Sequence, residues 1–392
     1  MPIANAIAEQ LKNASWIRRM FEEGVRLKRE HGADAVCDFS LGNPDMEPPA
    51  AVLTALSRAA ASDRPGLHGY MPNAGYPEVR AAVAAKLCRE TGLAFTAEDV
   101  FMTSGAAGAC NVILKSILDP GDEVLVLVPY FPEYRFYVTN HAGRVVTVET
   151  DAEFLPDPER IAAAITPRTR ALILNTPNNP TGRVYPESAL RDLQQVLSRA
   201  AQPITVISDE PYSSFVYDGL RQSPVAASIA NTAICSSWSK SLGLPGERIG
   251  YLALSPLLPD RVELRGACAF ANRILGYINA PAIWQRVILE TLDETLDTAA
   301  YEEKRNLLCD ALEKIGYDVR RPEGAFYIFL KTPIPDDLAF TALLAEQGVL
   351  AVPGTGFGRS GYIRLSLTLP LQQVRRSIPA FERAFHAAHG KA

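Results

Sequence analysis

Between about Ala51 and Glu290, short runs of β-branched and aliphatic residues alternate with stretches of helical periodicity. Glu123-Val-Leu-Val-Leu-Val128, Arg170-Ala-Leu-Ile-Leu174, Ile204-Thr-Val-Ile207 and Ile249-Gly-Tyr-Leu-Ala-Leu254 carry apolar side chains on both of their alternating faces. A strand of that kind has to be covered on both sides, and candidate helices such as Pro186 to Ala200 stand between the runs to do so. The pattern predicts an α/β doubly wound domain, a mainly parallel sheet between two helical layers.

Outside that alternation, Ser15 to Glu30 has a helical pattern, and one long candidate helix, about Leu289 to Ile315, leads into the strand-like runs Phe326-Tyr-Ile-Phe-Leu330 and Tyr362-Ile-Arg-Leu-Ser-Leu367. Both chain ends are therefore expected to build a smaller α+β domain, giving a large domain at 51–290 and a discontinuous small one at 1–50 and 291–392. A chain of 392 residues with 47% hydrophobic and 21% charged residues has the material for two cores. The mouth between the two domains is the expected cleft.

Charge narrows the partners. A net charge of −5, with Lys and Arg scattered rather than blocked, supplies no field for gripping nucleic acid. No apolar run approaches the roughly 18 residues that span a bilayer, and the first residues lack the layout of a signal peptide, so no membrane partner and a cytoplasmic location are expected. The six cysteines form no C-x-x-C pair and the five histidines no H-x-x-x-H pair, so they read as packing residues or plain thiols and no metal site is expected.

Open α/β sheets bind ligands beyond the carboxyl ends of their strands, so polar residues just after each expected strand are the candidates. Asn175-Thr-Pro-Asn-Asn-Pro-Thr-Gly182 follows Leu174, and its composition suits a plain turn as well as a site. Ser208-Asp-Glu-Pro-Tyr212 follows Ile207, where a carboxylate could equally cap the next helix. Ser236-Ser-Trp-Ser-Lys240 follows Ile234, with Arg248 eight residues on, and Thr103-Ser-Gly-Ala-Ala-Gly108 opens an apolar helical pattern.

Together these segments resemble the fold-type I pyridoxal-phosphate (PLP) enzymes, and within them the class I/II aminotransferases of the aspartate aminotransferase type, over nearly the whole chain. The resemblance rests on N-N-P-T-G, D-x-x-Y, S-x-x-K with its arginine, and the carboxy-terminal P-G-x-x-F-G and G-x-I-R, in that order. It implies that Lys240 holds the cofactor as a Schiff base and later serves as the base beside Cα. Asp209 becomes the partner of the pyridine nitrogen, while Tyr212 and Asn179 hydrogen-bond the ring hydroxyl oxygen. The phosphate falls to the backbone N–H groups of Gly105 and Ala106, to the Ser237 hydroxyl and to the Arg248 fork. Ala106 stands where relatives carry a hydroxyl residue.

Phe131, in Pro129-Tyr-Phe-Pro-Glu-Tyr134, matches the aromatic that stacks on the ring, with a core aromatic as the alternative. Arg364 matches the arginine that clamps the substrate α-carboxylate, with a buried structural salt bridge as the alternative. Gly42, in Ser40-Leu-Gly-Asn-Pro-Asp45, matches a glycine that lets the backbone approach the substrate. Tyr70 resembles a tyrosine that reaches the phosphate of a neighbouring subunit, and Asn279-Ala-Pro281 resembles an element near the interface, so a homodimer with shared sites is implied.

The implied reaction is ping-pong transfer of an amino group from an α-amino acid to a 2-oxo acid. A PLP β-lyase of the cysteine-S-conjugate type shares the cofactor motifs. An amino-acid-sensing regulator would need a DNA-binding module, and the stretch before Leu41 is too short and too little basic to hold one. Some aspartate-branch relatives carry a lysine where Ala107 stands here, which counts against aspartate specificity unless Arg18 or another N-terminal residue supplies the cation. The side-chain end of the substrate site lies on loops without a fixed motif.

Overall fold

The computed structural model of the chain describes residues 3–12, 16–32, 35–63 and 65–390. Its strands, in chain order, are β1 (Cys37–Asp38), β2 (Val100–Ser104), β3 (Glu123–Val128), β4 (Arg144–Glu149), β5 (Thr169–Asn175), β6 (Thr205–Asp209), β7 (Thr232–Ser237), β8 (Ile249–Leu254), β9 (Tyr327–Lys331), β10 (Val349–Leu350), β11 (Val352–Pro353) and β12 (Tyr362–Ser366). Seven of them form one sheet in the order β2-β8-β7-β6-β5-β3-β4. All pairings are parallel except the two that β8 makes, with β2 and β7.

The two-sided apolarity of these strands is used strictly by parity, because successive side chains point to opposite faces. Val124, Val126 and Val128 of β3, with Ala171 and Ile173 of β5, pack on one face under the helices Gly105–Ile117 and Arg261–Ile274. Leu125, Leu127, Leu172 and Leu174 face the other side and meet Leu190 and Leu193 of the helix Glu187–Leu197. A third cluster covers the β7–β8 side with Val79 and Val83 of the helix Pro77–Thr91 and Val287 and Ile288 of the helix Ala282–Thr291.

A separate apolar cluster gathers the carboxy-terminal elements. It joins Phe39, the segment carrying Tyr212, Phe215 and Tyr217, the strands β9 and β12, and the helices Ala299–Ile315 and Leu371–Ala388. The strand order there is β11-β12-β9, all antiparallel, and β1 pairs with β10 in a small parallel sheet.

Two expectations need correction. The single helix expected over Leu289–Ile315 is two helices, Ala282–Thr291 and Ala299–Ile315. Leu296 turns inward to 4% exposure and gives its N–H to Ser241 O at 2.7 Å, while Asp297 accepts the N–H of Ala299 and starts the second helix. Burial of one leucine and a turn held by the Asp297 side chain thus interrupt a periodicity that looked continuous. The run Ile249–Leu254, read as one of the parallel strands, is antiparallel to both its neighbours. All six cysteines are unpaired thiols, five of them buried, and no helix among the described residues is long and apolar enough to cross a membrane.

Candidate active site

Sheet register assembles the site. Asn175, Asp209 and Ser237 end β5, β6 and β7, with Asn175 opposite Asp209 and Asp209 opposite Cys235, so the three polar residues emerge along one edge. The reversed β8 begins at that same edge: Gly250 lies opposite Ser237, and Ile249 opposite Ser104. Arg248, just before β8, and Gly105, just after β2, are thereby brought together. Gly105 has φ +69°, and a Cβ on it would lie 2.7 Å from Nη2 of Arg248, so both the backbone turn and the guanidinium exclude a side chain there.

These residues open on a cavity of about 300 Å³, lined among others by Ala106, Phe131, Tyr212 and Lys240. Of the twelve residues singled out in the sequence, all but Gly105 and Tyr70 line it. Gly105 packs beneath Arg248, and Tyr70 is 93% exposed on this chain.

Asp209 is buried, and its Oδ2 accepts the Tyr134 hydroxyl at 2.6 Å. Its Oδ1 is equally buried and has no partner. Burial pushes the carboxyl up to about 6, and the Tyr134 hydrogen bond pulls against that rise. The Asn175 side chain fixes the neighbourhood: Nδ2 donates to Asp209 O at 2.8 Å, and Oδ1 accepts the Asn179 N–H at 2.7 Å. The Asn-Pro-rich segment is thus a turn that also carries Asn179 into the cavity wall.

Lys240 donates through Nζ to Gly42 O at 2.7 Å. Burial, with the positive charges of Arg364 and Arg248 added, brings its amine down to about 8. Near neutral pH a useful fraction of that amine is uncharged and nucleophilic. A Cβ on Gly42 would fall 2.2 Å from the Tyr327 hydroxyl, so only glycine leaves that carbonyl in place.

Arg364, on β12, is 2% exposed. Nη1 donates to Asn179 Oδ1 at 3.1 Å and Nη2 to Ser40 O at 2.8 Å, while Nε has no partner. The rings of Tyr327 and Phe357 flank the guanidinium at 4.5 and 4.9 Å. Among the described residues no carboxylate forms an ion pair with it. The Tyr212 hydroxyl meets that of Tyr327 at 3.0 Å, and burial drives both phenols upward.

Sequence reasoning passed over Tyr134, Tyr327 and Asn175, although all three sit inside segments it quoted. The side chain of Arg18 lies outside the described residues.

The family model described as aminotransferase class I and II matches residues 34–381. The chain is 37% identical to an aspartate/prephenate aminotransferase of Thermus thermophilus, across 92% of this chain and 93% of that protein. It superposes on an amino transferase from Eubacterium rectale with a TM-score of 0.95 at 37% identity, covering 99% of both chains. Against the aspartate aminotransferase from Thermus thermophilus with maleate the TM-score is 0.85 at 35% identity, over 95% of this chain and 97% of the other. A family match over most of the chain and relatives of this likeness across nearly their full length agree with the strand-end cavity and its lysine: the chain is an enzyme of the aminotransferase class I and II family, with the α/β fold of the aspartate aminotransferases.

Proposed function

We propose that this aminotransferase uses pyridoxal 5'-phosphate, held at Lys240, to move the amino group of an α-amino acid to a 2-oxo acid by a ping-pong cycle. The observation that carries the cofactor reading is the orphaned Oδ1 of Asp209, a buried acceptor at the wall of a cavity that also holds Lys240. A buried acceptor without a donor is costly, and a protonated ring nitrogen is a donor of the right charge. When bound, the cofactor supplies an aldehyde that condenses with amines and a ring that accepts the electron pair left on Cα.

The residues around it have separable tasks. Asp209, steadied by Tyr134, would keep the ring nitrogen protonated. Gly105 and Ala106 N–H groups at a helix start, with Ser237 and Arg248, would hold the phosphate. Tyr212 and Asn179 would bind the ring hydroxyl oxygen, and Phe131 would pack on the ring. Lys240, its amine brought well below the usual lysine range, would carry a proton away from the substrate Cα. Arg364 has three N–H groups free of protein partners by its hydrogen-bond inventory, enough for a bidentate grip on the substrate α-carboxylate. Gly42 leaves room for the substrate.

We further read residues 51–290 as the large domain and 1–50 with 291–392 as the small one, which makes the cavity an interdomain cleft. A homodimer with shared sites is supported by apolar groups left bare on the single chain. Tyr70 is 93% exposed, and Phe270 and Ile274, four apart on one helix, are 54% and 48% exposed. Six unpaired thiols suit a cytoplasmic setting.

Aspartate is the donor suggested by the names of the relatives, while the small Ala107 opposes a dicarboxylate preference. A panel of amino donors against 2-oxoglutarate and pyruvate, followed as single-turnover loss of the cofactor band, tests the reading. Conversion of at least one donor to its oxo acid is expected, and release of pyruvate and ammonia from β-substituted donors without any transamination would replace it with a β-lyase.

A further inference from the structure

Side chains of β7 alternate between two chambers. Cys235 points into the core beneath the cofactor cavity, whereas Ile234 and Ser236 point into a second cavity of about 580 Å³. Ser237 borders both chambers, and no part of the aminotransferase reading assigns the second one a task. Its volume lies within the roughly 300–1,000 Å³ of small-molecule sites.

The lining carries several acceptors, two of them atoms without partners. Gln222 spends its Nε2 on Thr176 O at 2.8 Å, leaving a buried Oε1 without a partner, and the Ser214 hydroxyl is buried and unpartnered as well. Glu210 accepts the Ser208 hydroxyl at 2.5 Å on one oxygen, its only side-chain donor among the described residues. Burial pushes the Glu210 carboxyl up to about 7 and raises that of Glu90. Asp293 and Glu294 add two more acids against Lys86 and Arg221. Lys86 is already committed to Leu292 O at 2.8 Å and stands 3.9 Å from Glu90. Apolar surface completes the chamber: Val83, Leu87 and Val225 line it beside the Trp238 and Tyr251 rings, whose centroids are 5.4 Å apart.

We propose that this chamber is a second small-molecule site, distinct from the cofactor cavity, which takes a compact aromatic monocation bearing N–H donors. The charge sits against Glu210 and Glu90, the N–H groups serve Gln222 Oε1 and Ser214 Oγ, and the ring lies on Trp238 and Tyr251. The ligand's N–H groups answer the two unpartnered atoms of the lining, and its charge answers the carboxylates, which an anion would not. The inference does not depend on the substrate or cofactor of the neighbouring site.

Benzamidinium is a suitable probe, with benzamide as its neutral isostere, and calorimetric titration of the holoenzyme measures both. Saturable one-to-one binding of benzamidinium is expected, at least about tenfold tighter than benzamide. Glu210→Gln is expected to weaken it at least about tenfold, and Glu90→Gln to weaken it too, which covers the case in which one variant does not fold. Arg364→Lys, in the other cavity, is expected to leave it unchanged. The proposal is overturned by an absence of saturable binding, by equal affinity for benzamide, or by binding that responds to Arg364→Lys and to neither glutamate.

Discussion

Replacing Arg364 by lysine keeps the charge and removes the fork. In the native chain the guanidinium gives one hydrogen bond to Asn179 and one to Ser40 O, and keeps Nε and one proton on each terminal nitrogen free. A lysine ammonium has three donors on a single atom, so serving the same protein partners leaves it one for a carboxylate, and the planar two-point grip is lost. One charge-assisted bond is worth about 1.5–3 kcal/mol, which corresponds to a fall of about 10- to 150-fold in kcat/KM for the amino donor. Since the cofactor contacts are made by other residues, cofactor content is expected to stay near that of the parent enzyme. Steady-state kinetics, cofactor absorbance and melting temperature on one preparation separate the possibilities. Kinetics within twofold of the parent, accompanied by a lowered melting temperature, would refute the reasoning and make Arg364 a structural residue.

Tyr134→Phe removes the hydroxyl that lowers the Asp209 carboxyl; the acid limb of the kcat profile is expected to move up by roughly one pH unit, with KM little changed. An unmoved limb would show that the bond does not tune Asp209. Asp209 itself has a folded-state value near 6 against an ordinary 3.8. The stability tied to its protonated form is therefore complete below about pH 4 and is lost as pH rises through 6. Without cofactor, Asp209→Asn is expected to match the parent at pH 4 and exceed it by on the order of 3 kcal/mol at pH 8 in urea unfolding, the gap closing when pyridoxal phosphate is added. A gap that is the same at both pH values would contradict this. Sedimentation is expected to show a dimer, with Tyr70→Phe weakening cofactor retention; a fully active monomer at nanomolar concentration would exclude shared sites.

Legibility in the sequence followed the physics of burial. β3, β5 and β6 announce themselves because both of their faces are covered, and the chemistry sits at their carboxyl ends: Asn175 and Asp209 are the last residues of β5 and β6, while Phe131, Asn179 and Tyr212 follow within four positions. β4 is the edge of the sheet, and Arg144-Val-Val-Thr-Val-Glu149 is largely solvent-facing, a short run with charges at both ends that stands out less than the buried strands. β2 hid for another reason, since its five residues run directly into Gly105 and the helix, and the whole stretch reads as a helix start.

The antiparallel setting of β8 has no local signature. Direction depends on the connection before it, yet that reversal is what delivers Arg248 to the site. Tyr134 and Tyr327 were invisible as functional groups because their meaning lies in partners far along the chain. Tyr134 bonds Asp209 across 75 positions and Tyr327 meets Tyr212 across 115. Nothing in the local pattern of a buried tyrosine distinguishes a packed ring from one whose hydroxyl is in use.

The central claim is that Lys240 carries the cofactor of an amino-transferring site, and peptide mapping after reduction tests it most directly. Protein incubated with pyridoxal phosphate, reduced with borohydride and digested is expected to bear one pyridoxyl group per chain, on the peptide containing Lys240. Prior addition of a competent amino donor is expected to abolish that label, because the donor leaves the cofactor in its aminated, non-reducible form. A pyridoxyl group on a different lysine, or none at all in protein that remains folded, would contradict the account.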